Sequence, residues 1–258
     1  MHSIVCIKSV VLSTPKGRMS RSPEKSVLNP FDRWALEMAL QIKEAHGGTV
    51  TALSMGPPAS ESILREAMAM GVDQGVLLCD RAFAASDTLA TSRSLTAAVR
   101  HLSPFDFLLF GVCAADSDTG QVGPQTASFL DIPMVGHVTR VESANGVFTL
   151  HRQLDGFLEQ YELASPPVAM TIHPAAVEPR DPTLGALGTA FDSAFPITCL
   201  DIAAVGLEPR QVGVFGSPTR VLSVKPVDKK RVCEWIQGDP AIQADILVEK
   251  LVKAGLVG

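Results

Sequence analysis

Four times before residue 134 the sequence sets a short apolar run against a stretch of helical period. That alternation restricts the fold more than any other feature of the chain. The apolar runs are Ile4–Leu12, Thr49–Met55, Gln74–Cys79 and Asp106–Val112, each short enough for a buried strand. Asn29-Pro30-Phe31-Asp32 opens the first helix, with Asn29 suited to the N-cap, Pro30 to the first turn and Asp32 to the helix dipole. Phe31, Trp34, Ala35, Met38, Ala39 and Ile42 then recur at helical spacing until Gly47-Gly48 stops the helix. Ser60 caps a second helix that ends at Met70 and Gly71. Asp87 caps a third that runs through Leu102, with Leu95, Val99 and Leu102 inward. Strands alternating with helices predict an α/β fold: a Rossmann-like parallel sheet covered on both faces through right-handed crossovers.

Beyond Pro133 the pattern changes. Met134–Glu142 and Val147–Leu154 flank Asn145-Gly146, a two-residue hairpin signal. Asp155-Gly156 turns the chain into Phe157–Leu163, and Val168–His173 reads as a further strand of the same antiparallel meander. From Pro174 to Pro196 the chain is rich in Pro and Gly and reads as irregular. The expected organisation is an α/β domain over 1–190, with an antiparallel extension at about 134–173, and a C-terminal arm over 191–258. In the arm the pattern predicts a strand near Arg220–Lys225. A helix follows from Asp239-Pro240 to Lys253, with Gly255 as its stop. Leu247, Val248, Leu251 and Val252 give that helix an apolar stripe, fit either to pack back on its own domain or to grip a partner.

The fourth strand leads into Cys113-Ala-Ala-Asp-Ser-Asp-Thr-Gly-Gln-Val-Gly-Pro124. Proline lacks an N–H and fits only near a helix start, so the regular ladder cannot begin far before Gly120. The N–H groups of Thr119 to Gly123 are therefore left without helical partners. A helix start with free amides and two glycines is a site for an anion, most often a phosphate. The plainer reading stays open beside it: Asp118 or Thr119 simply caps the helix. Asp116 and Asp118 would repel a phosphate, so they suit ribose hydroxyls or the loop's own amides. In a parallel sheet the loops after strand one (Ser13–Asn29), strand two (Met55–Ser60) and strand four (Cys113–Gly123) fall at one edge, where a single nucleotide can touch all three.

Composition excludes several classes. A net charge of −5 without a basic block, and 5% aromatic residues, give no surface for nucleic acid. No apolar run reaches the roughly 18 residues of a membrane span, and Lys8 within the first run argues for a strand rather than a signal peptide. The cysteines at 6, 79, 113, 199 and 233 form no Cys-x-x-Cys pair. That pattern speaks against a metal site or a disulfide scaffold and fits a reducing cytoplasm. No Gly-x-Gly-x-x-Gly follows the first strand. The six histidines are scattered and no Ser/His/Asp or Cys/His set is suggested, so the chain reads as a nucleotide holder without catalytic residues of its own. On fold alone, a stand-alone ATP- or AMP-binding regulator would satisfy the same pattern.

Particular segments carry a resemblance. Asn29-Pro-Phe-Asp-x-x-Ala35-x-Glu37, Ala67-Met-Ala-Met-Gly71, Phe83-Ala-x-Ser-Asp-Thr-Leu-Ala90, Ala114–Pro124, Glu178-Pro-Arg180 and Gly216-Ser-Pro-Thr-Arg-Val221 follow in the order seen in beta subunits of electron transfer flavoproteins, and the chain resembles that family over nearly its whole length. The resemblance implies a heterodimer with an alpha subunit that carries a redox FAD, while the beta subunit holds AMP or a second FAD. It implies that Cys6, Asn29, Pro30, Phe31, Asp32, Met55, Ala114, Ala115, Asp116, Asp118, Thr119, Gly120, Gln121, Val122, Gly123 and Pro124 line the nucleotide site. Asp118–Pro124 looks more like the flavin-bifurcating members, which bind FAD here and take electrons from NADH. Val112 and Cys113 depart from the family, many of whose members carry a basic residue and Gln there. After Glu178 and Arg180 the family reaches a partner dehydrogenase, acyl-CoA-type or quinone-linked, through a Lys-rich segment with a leucine anchor. Leu184 matches the anchor, whereas Gly185 to Pro196 contains no lysine, which implies a more apolar docking surface.

Overall fold

The structure, a computed structural model of the 258-residue chain, describes residues 1–11, 26–144, 146–163, 165–192, 195–223 and 233–257. In chain order the elements begin with β1 (His2–Cys6), β2 (Ser9–Val10), β3 (Val27–Leu28), α1 (Pro30–His46) and β4 (Thr49–Met55). They continue with α2 (Glu61–Met70), β5 (Gln74–Leu78), α3 (Thr88–His101), β6 (Phe107–Gly111) and α4 (Val122–Leu130). Then come β7 (Met134–Ala144), β8 (Val147–Leu154), β9 (Phe157–Leu163), β10 (Val168–Ile172), α5 (Leu184–Ala190), β11 (Thr198–Leu200), α6 (Gly213–Gly216) and α7 (Pro240–Lys253). The chain divides into two units, 1–222 and 223–258.

The first unit is built on a nine-stranded sheet of order β11-β5-β4-β1-β6-β10-β7-β8-β9. All pairs from β11 to β7 are parallel, and only β7-β8 and β8-β9 are antiparallel. The chain lays β4 and β5 to one side of β1, then crosses over to place β6 on the other. The strand order therefore reverses between β1 and β6, the position where sheets of this kind open a crevice at their carboxyl edge.

Alternation within each strand separates two apolar layers. Val5 on β1, Phe107 and Leu109 on β6, and Val168 and Met170 on β10 pack with Leu36 of α1 and Leu64 of α2. Ile4, Cys6, Leu108, Phe110 and Ala169 face the other way, against Leu95, Ala98 and Val99 of α3 and Ala127 of α4. Phe107, Leu108 and Leu109 have no exposed surface, and each contributes about 1.5–3 kcal/mol by leaving water. Both faces are covered, as the alternation predicts.

The structure corrects several readings. The first apolar run is broken: β1 ends at Cys6, and Ser9-Val10 leaves the main sheet to pair with Val27-Leu28 in a small antiparallel ribbon. β10 does not continue the meander. It returns between β6 and β7 and is parallel to both, which is why all five of its residues are buried. Ser60, though at the cap of α2, makes no side-chain capping bond. The stretch from Pro174 contains α5, capped by the Thr183 hydroxyl on the N–H of Ala186. Residues 198–222, read from sequence as the start of the arm, contribute β11 to the sheet and α6. The strand expected near Arg220–Lys225 is absent from residues 220–223, and its remainder lies outside the described residues, as do Asn145 and most of Ser13–Asn29.

The second unit contains α7, capped by Asp239, whose carboxylate accepts from the N–H groups of Ala241 and Ile242. Leu247, Val248 and Val252 on this helix are about half exposed. Among the described residues no helix is long and apolar enough to cross a membrane.

Candidate functional site

The carboxyl ends of β1 and β6 and the start of α1 meet at the switch point. Gly111, the last residue of β6, is needed there for close approach. A Cβ at this position would lie 2.5 Å from Asp32 Oδ1 and 2.8 Å from the Phe31 carbonyl. Only glycine lets the first turn of α1 rest on the end of β6.

The turn after β6 folds on itself, with the N–H groups of Ser117 and Asp118 both donating to Ala114 O at 3.1 and 2.7 Å. Asp118 and Gly120 then adopt positive φ, 52° and 61°, and α4 begins at Val122 with Pro124 in its first turn. Among the described residues, no recorded hydrogen bond uses the backbone N–H groups of 119–123. This is the free-amide cluster that Pro124 predicts, and positive φ at Asp118 and Gly120 is what a main-chain anion cradle requires. Asp118 does not cap α4. Its side chain bonds the Cys113 thiol instead, and burial followed by that bond and the Asp118 charge pushes the thiol up to about 11.

Asn29 stands at the cap position of α1, yet its side chain makes no capping bond. Its amide nitrogen donates to Asp32 Oδ1 at 2.8 Å and to Cys113 O at 2.9 Å, and its oxygen accepts the N–H of Ala115 at 3.1 Å. Asp32 also accepts the Lys8 N–H at 2.7 Å. The Lys8 ammonium reaches Asp116 at 2.6 Å, so this carboxylate is paired rather than facing a phosphate. Thr88 on α3 donates to the Gln121 side chain at 3.1 Å. Met55 ends β4 at the same edge. The Cys6 thiol is buried in the α3/α4 layer, where burial raises its pKa well above the usual thiol range.

Beside the turn lies a cavity of about 520 Å³ lined by Val112, Gly120, Pro124, Ala127, Ser128, Ile132, Met134, Gly136, His137 and Thr171. His137 sits on a bulge of β7 with φ 58°, its N–H bonded to Thr171 Oγ1 at 2.9 Å. Reading the sequence missed Gly111, Lys8, His137 and Thr171. Lys8 was the findable one, a lone charge inside an apolar run.

Burial pushes Asp32 up to about 7, against the opposing N–H bonds of Lys8, the Asn29 amide, the Lys8 charge and the Gly111 N–H. A carboxyl whose folded value lies above its unfolded one stabilises the fold at low pH and loses that contribution as pH rises to the folded value. The free energy of unfolding of Asp32→Asn relative to the native chain should therefore rise between pH of about 4 and about 7 and level off above. A difference that stays flat across this window in chemical denaturation would contradict the assignment.

The three residues predicted to meet a partner sit apart from this turn. Arg180 is held on α1 by the buried Glu37 at 2.7 Å and by Glu44 at 2.6 Å. Burial works to raise Glu37, but the Arg180 bonds keep it below the usual carboxylate range. Glu178, two residues earlier, is exposed. Leu184, the first residue of α5, is 88% exposed.

Comparison with known proteins accords with this geometry. The electron transfer flavoprotein domain matches residues 17–191. Over its whole length the chain is 35% identical to the acryloyl-CoA reductase electron transfer subunit gamma of Anaerotignum propionicum and 37% identical to the caffeyl-CoA reductase-Etf complex subunit CarD of Acetobacterium woodii, covering 100% of each. It is 38% identical to an electron transfer flavoprotein subunit beta of Thermoanaerobacterium thermosaccharolyticum, over 88% of this chain and 86% of that one. With a strand order that reverses beside a turn of free amides, and relatives matched from end to end, the chain belongs to the electron transfer flavoprotein family as a subunit of the beta type.

Proposed function

We propose that the chain holds FAD at the carboxyl ends of β1 and β6 and works as one half of a heterodimer, with an alpha subunit carrying a further FAD. The observation that carries this reading is the set of unused N–H groups at 119–123, on a turn with positive φ at Asp118 and Gly120. The adjoining cavity of about 520 Å³, which borders Gly120 and Pro124, supports FAD over AMP, since it is large enough to take a second ring system. When bound, the flavin supplies the electron-transfer chemistry. The chain's residues bind and orient it: main-chain N–H groups hold phosphate, Asn29 and Lys8 hold the turn, and Thr171 and His137 border the cavity.

NADH, or a dehydrogenase, is the donor in this proposal. The names of two relatives point to reductases of CoA thioesters, which supports an acyl-CoA-type dehydrogenase as the partner in a cytoplasmic setting. Leu184 is its anchor, held in place by a segment that Arg180 ties to α1. Leu184→Ala should slow electron transfer to that dehydrogenase about tenfold, as loss of an exposed apolar anchor does at other interfaces. An unchanged rate would remove Leu184 from the docking surface. The apolar stripe of α7 is assigned to the alpha subunit.

The test of the whole reading is a nucleotide count on the purified heterodimer. Two FAD per heterodimer is the expected result. One FAD with one AMP would make this subunit a structural AMP holder, and one FAD with no second adenylate would overturn the assignment of the site.

A further inference from the structure

Asn29 and Asp32 lie under the nucleotide turn, and both are almost fully buried, at 1% and 5% exposure. Every polar atom of the Asn29 carboxamide is used, in one direction toward Asp32 and in the other toward Cys113 O and Ala115 N–H. Reversing the carboxamide would set its oxygen against Asp32 and the Cys113 carbonyl, so the Asp32 carboxylate fixes which way it points. Asp32 in turn accepts N–H groups from three separate places: Lys8 after β1, Asn29 before α1, and Gly111 at the end of β6. The network thus ties both strands of the switch point to the residues that begin the turn, 113–115. The turn passes directly from there to Ala114 O, which accepts the N–H groups of Ser117 and Asp118 and so sets the backbone leading to 119–123.

We propose that Asp32 is a positioning residue for nucleotide binding: acting through Asn29, its ionised carboxylate holds the turn after β6 in the shape that presents the N–H groups of residues 119–123. The inference rests on the nucleotide reading above and extends it. Protonation removes the charge that strengthens these bonds, turns one carboxyl oxygen into a poor acceptor and adds a hydrogen that needs a partner among N–H donors, so the ties weaken. The charged and titratable groups that face Asp32 are Lys8 and Cys6 from β1 and its continuation and Cys113 from the turn. Asp116 is held through Lys8, and Asp118 through Cys113. Burial of Asp32 places its titration near neutrality, within reach of a binding experiment.

The heterodimer stripped of nucleotide is titrated with AMP by calorimetry between pH of about 5.5 and about 8.5, for the native protein, Asp32→Asn and Asn29→Ala. The ratio of variant to native dissociation constants cancels the titration of the AMP phosphate itself. At the alkaline end Asp32→Asn should bind about tenfold more weakly than the native protein, and the ratio should approach one at the acid end, where the native carboxyl is itself protonated. Asn29→Ala should be weakened to a similar degree. Asp32→Asn removes a buried charge and keeps its volume, so it folds even if Asn29→Ala does not. A ratio of one throughout, or one that does not change with pH, would overturn the inference. A native heterodimer that binds neither AMP nor FAD would overturn the nucleotide reading, and this inference with it.

Discussion

Replacing Gly120 by valine should weaken binding of FAD or AMP about a hundredfold, through loss of several main-chain N–H contacts to phosphate. The fold should lose far less. Gly120 has φ 61°, where a residue with a Cβ is strained by roughly 1–2 kcal/mol. A Cβ there would also press on Val112 O at 3.2 Å. To relieve both, the turn must swing away from the left-handed region, and the N–H groups of its neighbours turn with it. Because the turn lies beyond the end of β6, the sheet does not depend on it. Calorimetric titration alongside chemical denaturation separates the two effects. Equal losses of binding and stability, each expressed as a free energy, would mean that the turn only starts α4.

Gly111→Val should destabilise the fold by about 3 kcal/mol, at the upper end of what overpacking costs. Its Cβ would lie 2.5 Å from Asp32 Oδ1 and 2.8 Å from the backbone carbon and oxygen of Phe31. The neighbours here are a buried carboxylate and helix backbone, which cannot rotate aside as a flexible side chain would. The start of α1 has to move off β6, taking Asn29 and its hold on residues 113–115 with it. Gly111→Ala should show most of the same loss, since the β-carbon is the clashing atom. An alanine variant within about 0.5 kcal/mol of native, the range of an ordinary surface change, would show that the contact is not tight.

Much of this fold is written locally. Asp87 caps α3 by accepting the Ala90 N–H, Asp239 caps α7, and β8 and β9 are joined at the Asp155-Gly156 pair. Those features depend on a few adjacent residues, which sequence displays directly. Placement in the sheet depends on distant residues. β10 looks like one more strand of the meander until its continuous burial is known, although an unbroken apolar run such as Val168-Ala-Met-Thr-Ile172 is what a parallel, doubly covered strand needs. Asn29 shows the same limit at the site. An asparagine before a proline reads as a helix cap, and nothing near it in the chain announces that its partners are Cys113 and Ala115, more than eighty positions on. The short β11 rests on its pairing with β5 rather than on its own propensity. The free amides of 119–123 were legible because the constraint is covalent: Pro124 has no N–H wherever it folds.

Amide hydrogen exchange of the heterodimer, with and without its nucleotides, tests the main-chain cradle most directly. The account predicts that nucleotide slows exchange at residues 119–123, with smaller protection at 113–118 and at the start of α1. It contradicts the account if those five N–H groups exchange equally fast in both states while protection appears elsewhere in the subunit.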